Sequence, residues 1–453
     1  MNGRTAALIT AAAALLAAGC EQIEEQLGFE PERTPHESYT RSLQAAGLIT
    51  TALGSAWIEA SRKALETTVR IEPPYSESGF LASDAASALG IRVDVREGEE
   101  ITVNATLDGD PAALIFIDLF HASADTLSSP RRVASADSGG KTLRYEVRAP
   151  GDYIVRVQPE LLRGGRYTVT IETRPALAFP LPGLDSRAIG SYFGAPRDGG
   201  ARNHHGVDIF APRGTPVVAV APGIVSSVRE TARGGRVVWL RDEQRGLRVY
   251  YAHLDRQLVA SGQRVETGDT LGLVGNTGNA ANTPPHLHLG IYRRGRGPLN
   301  PYGWLHERRA ELAPLTADSS LFGRWARLRR TGAALRAGAH ENAPILETLP
   351  VAAAARVIGG SRDRLRVQLP DGREGFLAGW LLEAADAPLE HETLGRHTIV
   401  RAAPGARSTA VGELTQGTSV GILARFAGSL LVRAGGQIGW ITPPDGRAAA
   451  AAP

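Results

Sequence analysis

Pro285-His286-Leu287-His288-Leu289 is the stretch on which the reading of this chain turns. Histidine and leucine alternate there at period two, which is a strand pattern: Leu287 and Leu289 share one face, His286 and His288 the other. Two imidazoles on one strand face suit a metal site, because one can ligate while its neighbour reaches the coordination position left open for water or substrate. Two upstream pieces need the same explanation. Arg202-Asn203-His204-His205-Gly206-Val207-Asp208 places a histidine and a carboxylate four residues apart, with Gly206 between them so that the backbone can bend and the two side chains converge. Tyr250-Tyr251-Ala252-His253-Leu254 brings a further histidine. Five of the 11 histidines fall between 179 and 304, a clustering that packing alone does not explain.

Taken in order, His204-x-x-x-Asp208 with its glycine, Gly214-Thr215-Pro216-Val217, Tyr251-Ala252-His253-Leu254, Gly275-Asn276-Thr277-Gly278 and His286-Leu287-His288 resemble the lysostaphin/LytM-type zinc endopeptidases. Ser191, Phe193-Gly194 and Arg197 resemble that family too, and the likeness covers residues 179–304. It implies a β-sheet peptidase domain (a duplicated hybrid motif) with one Zn2+ per chain held by His204, Asp208 and His288. His253 and His286 become non-ligand catalytic histidines. The implied activity is hydrolysis of peptide cross-links or bridges in bacterial peptidoglycan, with His286 as general base and His253 as donor to the oxyanion or the leaving amine, although either imidazole can serve in either role. His205 is expected to point away and to be structural. One departure is the loop Ala280-Ala281-Asn282-Thr283-Pro284-Pro285, where the family has a small Ser-Thr-Gly-type turn. The extra proline stiffens a segment expected to line the substrate groove and to govern peptide specificity. Two other readings stand beside the enzyme: a non-enzymatic LytM-type activator of cell-wall amidases, and a wall-binding scaffold. The complete set of ligands and histidines argues against both.

Length and composition frame this domain. At 453 residues the chain exceeds one core and predicts three or four domains, while 43% apolar and 21% charged residues are ordinary for globular protein. A formal charge of +3 gives no reason to expect a nucleic-acid partner. The sole cysteine, Cys20, allows neither an intramolecular disulfide nor a thiolate metal cluster. Its setting carries more information. Arg4, the apolar run Ala6 to Ala18 and the small residues Ala17-Ala18-Gly19 have the proportions of a secretory signal over 1–19. The tail Leu15 to Cys20 resembles a bacterial lipobox, with Ala17 where leucine is commoner. That implies lipidation at Cys20, membrane attachment and export, and Glu21 after the cysteine favours the outer membrane facing the periplasm if the cell is diderm. The implied partners are peptidoglycan peptides and the membrane, with room for cell-wall enzymes or divisome proteins.

The fold class expected is mainly β and multidomain. Residues 20–66 read as a tether and one amphipathic helix, begun by the Thr34-Pro35-His36-Glu37 capping-box spacing and running to about Leu65. Residues 67–174 alternate at period two between Gly- and Pro-containing turns and predict a β-sandwich, similar to the jelly-roll domains beside secreted bacterial peptidases. His121 there is read as structural. After Trp304 an internal repeat of about 65 residues pairs Ala334-Leu335-Arg336-Ala337 with Ile399-Val400-Arg401-Ala402, and Gly375-Phe376 with Gly439-Trp440. It resembles two bacterial SH3-like barrels, over 325–385 and 390–443. Residues 444–453 read as a disordered tail, and His306, His340, His391 and His397 as surface residues.

Overall fold

In the computed structural model, residues 33–109, 113–122, 129–308 and 310–443 are described. The expected signal segment 1–19, the lipidation site Cys20 and the tail 444–453 lie outside them. Among the described residues no helix is long and apolar enough to cross a membrane. The mainly β, multidomain expectation holds: strands in several sheets follow a short helical opening.

That opening departs from the single helix expected. It is two helices, α1 (Pro35–Ala45) and α2 (Ala52–Glu66). The capping box forms as predicted, Thr34 accepting from the Glu37 amide and the Glu37 carboxylate accepting from the Thr34 amide. Gly47, at φ 71°, then takes the chain out of the helical region, and the Thr51 hydroxyl caps α2 at the Gly54 amide. The three-and-four spacing runs through the break because both helices bury the same face, His36 and Leu43 from α1 and Trp57 and Ala64 from α2. Trp57 donates its indole N–H to the Pro159 carbonyl and stacks on His36 at 4.8 Å. His36 Nε2 lies 2.8 Å from Gln158 Oε1.

Burial, reinforced by the Arg156 guanidinium and only partly offset by Gln158 and Asp118, lowers the His36 pKa to about 4. The unfolded imidazole titrates near about 6.5, so between these values the undocked segment binds a proton that the docked one excludes. Docking of α1 and α2 therefore weakens as pH falls from about 6.5 to 4, by about 3 kcal/mol in all. Hydrogen-exchange protection over 35–66, corrected for the intrinsic pH dependence of amide exchange, should fall across that window in the wild type and stay level in His36→Gln; an unchanged wild-type protection would refute the assignment.

In residues 69–175 two sheets share one core. One sheet orders Val69–Ile71, Leu89–Val95, Gly151–Pro159, Ile115–His121 and Arg131–Ser135. The other orders Tyr75–Leu81, Gly165–Pro175, Glu99–Leu107 and Thr142–Glu146. Strand Tyr75–Leu81 was not legible by alternation, because its inward positions include Glu77 and Gly79 as well as Tyr75 and Leu81. Its free edge does not face solvent: Ser78 and Gly79 pair with Gly360 and Gly359, so the sheet runs on into the first C-terminal module. Glu77 is buried at that junction with Arg366, Tyr75 and Tyr167.

The C-terminal repeat is real in three dimensions. Arg336 pairs with Phe376 and gives Nη1 to the Ala343 carbonyl, and Arg401 pairs with Trp440 and gives Nη1 to the Ser408 carbonyl. The two modules meet where Trp325 packs edge-on to Trp440 and Arg327 donates to the Leu423 carbonyl.

Between these parts sits an antiparallel sheet ordered Ile189–Ser191, Val207–Phe210, His286–Arg293, Leu247–Gln257, Gly235–Asp242, Gly223–Thr231 and Arg264–Val265. Leu287, Leu289 and Ile291 point into its core with Val249, Tyr251, Val238 and Leu240, all fully buried. The sandwich docks at the far end of strand His286–Arg293. There Arg293 and Arg296 pair with Glu97, Arg245 pairs with Glu146, and Trp304 lies over Gly98. Gly98 has φ 90°, and a Cβ there would stand 2.4 Å from the indole, so only glycine permits this approach. Seven residues of strand, about 24 Å, separate Arg293 from His286. The docking face and the histidine pair thus occupy opposite ends of one element.

Candidate metal centre and cleft

The register of two neighbouring strands builds the centre. Asp208 on Val207–Phe210 is the direct cross-strand partner of His288, which on its other side pairs with Ala252. Side chains opposite one another on a sheet face sit close enough to touch, and Asp208 Oδ1 is 2.9 Å from His288 Nδ1. His204 enters from the preceding segment, where its amide and carbonyl bond to Ala195 and Gly194. Its Nε2 lies 3.0 Å from Asp208 Oδ1 and 2.9 Å from His288 Nδ1. Gly206 is needed here, since a Cβ would come within 2.8 Å of the His288 ring and 2.4 Å of the Leu289 carbonyl oxygen. The three residues expected as ligands therefore converge, and among the described residues they form the group able to hold a metal.

The hydrogen bonds around the triangle test whether a cation fits. His204 Nδ1 is 2.9 Å from the Tyr192 carbonyl, an acceptor only, so Nδ1 carries the proton and Nε2 is bare. That bare nitrogen faces a bare carboxylate oxygen at 3.0 Å. Two lone pairs at such a distance repel unless a cation lies between them, and a tetrahedral Zn2+ with bonds near 2.0–2.1 Å separates its ligand atoms by about 3.3 Å. Two nitrogens and one oxygen are a common donor set for a catalytic zinc, and the residues fit the ion. Arg197 Nη2 donates to the outer oxygen of Asp208 at 2.7 Å and to Ser191 Oγ at 2.6 Å, holding the carboxylate in place. Burial works against ionisation of Asp208, but the imidazoles of His204 and His288 beside it outweigh that and keep its carboxyl well below the usual range.

His253 and His286 flank the triangle with rings 5.0 Å apart. His286 gives Nδ1–H to the Pro284 carbonyl at 2.9 Å, and its Nε2 is 4.0 Å from Asp208 Oδ1. His253 gives Nδ1–H to the Thr277 carbonyl at 2.8 Å. Its presence in the cleft is a backbone effect that no pattern announced. Ala252 already occupies the cleft face, so strict alternation would send His253 into the core. Instead His253 adopts φ 64°, beside ladder slips between Arg236 and Val238 and between Leu254 and Arg256, and Ala252 and His253 both line the cleft. A left-handed non-glycine residue costs about 1 kcal/mol or more and persists where surrounding bonds impose it. Here the His253 amide donates to the Gly234 carbonyl. Burial chiefly, with the neighbouring imidazoles and against the Thr277 bond, lowers the His253 pKa to about 4. Burial likewise lowers that of His288, against the pull of Asp208.

The five residues lie in an open cleft of about 710 Å³. Asn279, Ala280, Thr283 and Pro284 line it, which is where the proline-stiffened loop was expected. Asn276 fixes that loop by donating to the Ala281 and Thr283 carbonyls, and Arg213 holds Asn276 in turn. His205 corrects its expected placement: it is exposed and lines the cleft, because the chain leaves the extended path over His204–Gly206 and alternation does not hold. Tyr250 and Tyr292 on the cleft floor were missed. Their signal was present, as Tyr292 continues the His286 and His288 face of the strand. His306 and His340 are half-buried rather than on the surface, His306 stacked on Tyr302 and bonded to Ser186. His391 and His397 are exposed, and His121 packs on Tyr153 as a structural residue.

Residues 202–301 match the family model "Peptidase family M23". An uncharacterized metalloprotease of Haemophilus influenzae is 37% identical over 165 residues, 36% of this chain and 32% of that protein. A peptidoglycan DD-endopeptidase of Vibrio cholerae is 37% identical over 115 residues, 24% of this chain and 26% of that protein. An L-Ala–D-Glu endopeptidase of Bacillus subtilis is 37% identical over 136 residues, 28% of this chain and 41% of that protein. The chain thus spans well under half the length of each of these relatives. The segment 202–301, which carries His204, Asp208, His253, His286 and His288, is the part of the chain that matches the model of peptidase family M23.

Proposed function

We propose that this chain is a zinc endopeptidase acting on the peptide part of bacterial peptidoglycan. The observation that carries the reading is the converging triangle of His204 Nε2, Asp208 Oδ1 and His288 Nδ1 beside two free imidazole nitrogens in an open cleft. A zinc ion held by those three atoms supplies Lewis-acid polarisation of a peptide carbonyl and acidifies water. The chain's own groups do the rest. Because His253 and His286 each commit Nδ1–H to a carbonyl, each presents a bare Nε2 to the cleft and begins turnover as a proton acceptor. His286, nearer the triangle by its 4.0 Å approach to Asp208, takes the proton of the attacking water. The proton that His286 gains is then given to the leaving amine, which returns His286 to its starting form, while the bare Nε2 of His253 remains an acceptor in the cleft. Arg197 and the Tyr192 carbonyl hold the ligands in orientation throughout. The relatives named as a DD-endopeptidase and an L-Ala–D-Glu endopeptidase match equally well, which supports a peptidoglycan substrate and leaves the bond to the cleft's own side chains. A partner that only activated another enzyme through its groove would have no use for a completed donor set.

The test is digestion of purified sacculi. His286→Ala should keep its zinc and lose about 10²- to 10⁴-fold in rate, the usual worth of a positioned general base. Equal release of muropeptides by wild type and variant, or release by neither, would sink the enzyme reading.

A further inference from the structure

The charged side chains lining the cleft, besides the histidines, are Arg197, Arg202, Arg233 and Asp208. Asp208 is committed to the ligand triangle and Arg197 to Asp208. Arg233 differs from its neighbours. It is exposed, and its guanidinium has no hydrogen-bond or ion-pair partner among the described residues, whereas nearby Arg236 donates to the Asp255 carbonyl and Arg213 pairs with Asp255.

Its backbone, by contrast, is fixed. The Arg233 carbonyl accepts from the Asn279 amide at 3.0 Å, and the next carbonyl, that of Gly234, accepts from the His253 amide at 2.8 Å. A Cβ on Gly234 would stand 2.0 Å from the Tyr250 hydroxyl oxygen, so the turn seats directly on the cleft floor. The result is a cation rigid at its root, free at its tip and placed on the His253 side of the metal triangle. Among the described side chains the cleft holds no uncommitted carboxylate to neutralise it. Guanidinium recognises carboxylate through paired, charge-assisted hydrogen bonds, and it discriminates strongly against the neutral amide of the same shape.

We propose that Arg233 reads a free carboxylate on the bound peptide, on the His253 side of the scissile bond, so that the cleft favours acidic peptides over their amidated forms. This rests on the peptidase reading above and adds to it a substrate preference. The probe is a set of muropeptides and the same muropeptides with their carboxylates converted to carboxamides by carbodiimide and ammonium. Cleavage is followed with the wild-type full chain, and binding with His286→Ala to prevent turnover. Wild type should favour the acidic form by about tenfold or more in kcat/KM, the range expected of a hydrogen bond to a charged group. In Arg233→Gln that ratio should fall to within about twofold, while Arg233→Lys should keep part of it. Equal handling of both forms by wild type, or an undiminished ratio in Arg233→Gln, overturns the proposal. The two readings separate cleanly. Absence of cleavage with an Arg233-dependent binding preference sinks the peptidase reading and keeps this one, and absence of any preference in binding sinks this one.

Discussion

His288→Ala is expected to lose stoichiometric zinc and to hydrolyse peptidoglycan about 10³- to 10⁴-fold more slowly, the equivalent of several kcal/mol of lost charge stabilisation. His288 is the direct cross-strand partner of Asp208 and supplies one vertex of a triangle whose edges are 2.9 to 3.0 Å. Alanine leaves His204 and Asp208 at 3.0 Å, two ligands where a catalytic zinc takes three. The strand should survive, because its inward residues Leu287 and Leu289 are unchanged and His288 contributes nothing to the core behind them. Metal content by elemental analysis and circular dichroism on the same preparation check both halves. A variant that keeps one zinc per chain would remove His288 from the ligand set, and one that loses its fold would show that the sheet depends on the centre.

The second large effect is on stability and lies far from the cleft. Glu77 and Arg366 are 0% and 1% exposed and approach to 3.4 Å, with Glu374 on Arg366 and the Tyr75 and Tyr167 hydroxyls donating to Glu77. Burial first, and the Glu77 charge next, push both tyrosines far above their ordinary range, so they remain donors at any working pH. Glu77→Ala removes an acceptor from three buried donors at once. It should cost about 3–5 kcal/mol, as breaking buried pairs does when one charge is left behind. Glu374 retains a hold on Arg366 and keeps the estimate toward the lower end. Joint replacement by Glu77→Leu and Arg366→Met should cost far less than the single change, since no charge is then stranded. Thermal unfolding monitored together with protease susceptibility of 67–174 and 325–385 decides it. A single-variant loss below about 1 kcal/mol would mean that the pair does not join the two modules.

How much of this was legible depended on whether a residue's role followed its periodicity. The Leu287/Leu289 and His286/His288 faces could be read because strand alternation forces them apart, and Gly206 betrayed the convergence of His204 and Asp208. His253 could be identified by motif but not placed, because its exposure to the cleft comes from one left-handed φ angle that alternation does not encode. The Gly47–Thr51 break hid for the opposite reason: spacing survives an interruption when both helices dock on the same surface. Strand Tyr75–Leu81 was invisible because its inward side carries a carboxylate and a glycine, whose reason for burial, Arg366, lies elsewhere in the chain.

That last separation has a consequence for how the molecule comes into being. Glu77 and Arg366 are 289 positions apart, and the whole peptidase segment is strung between them. A chain that emerges or crosses a membrane from its N-terminus presents Glu77, Tyr75 and an unpaired strand edge long before Arg366 and strand Ala354–Ser361 arrive to cover them. Contacts so distant in sequence are slow to form, and an open edge with a buried-type carboxylate is the kind of surface that invites wrong pairing meanwhile. The modules at the two ends are therefore not independent beads. The cleft-bearing sheet can mature early, on local and mid-range pairings of its own, while the scaffold that carries it closes only when nearly the entire polypeptide is available.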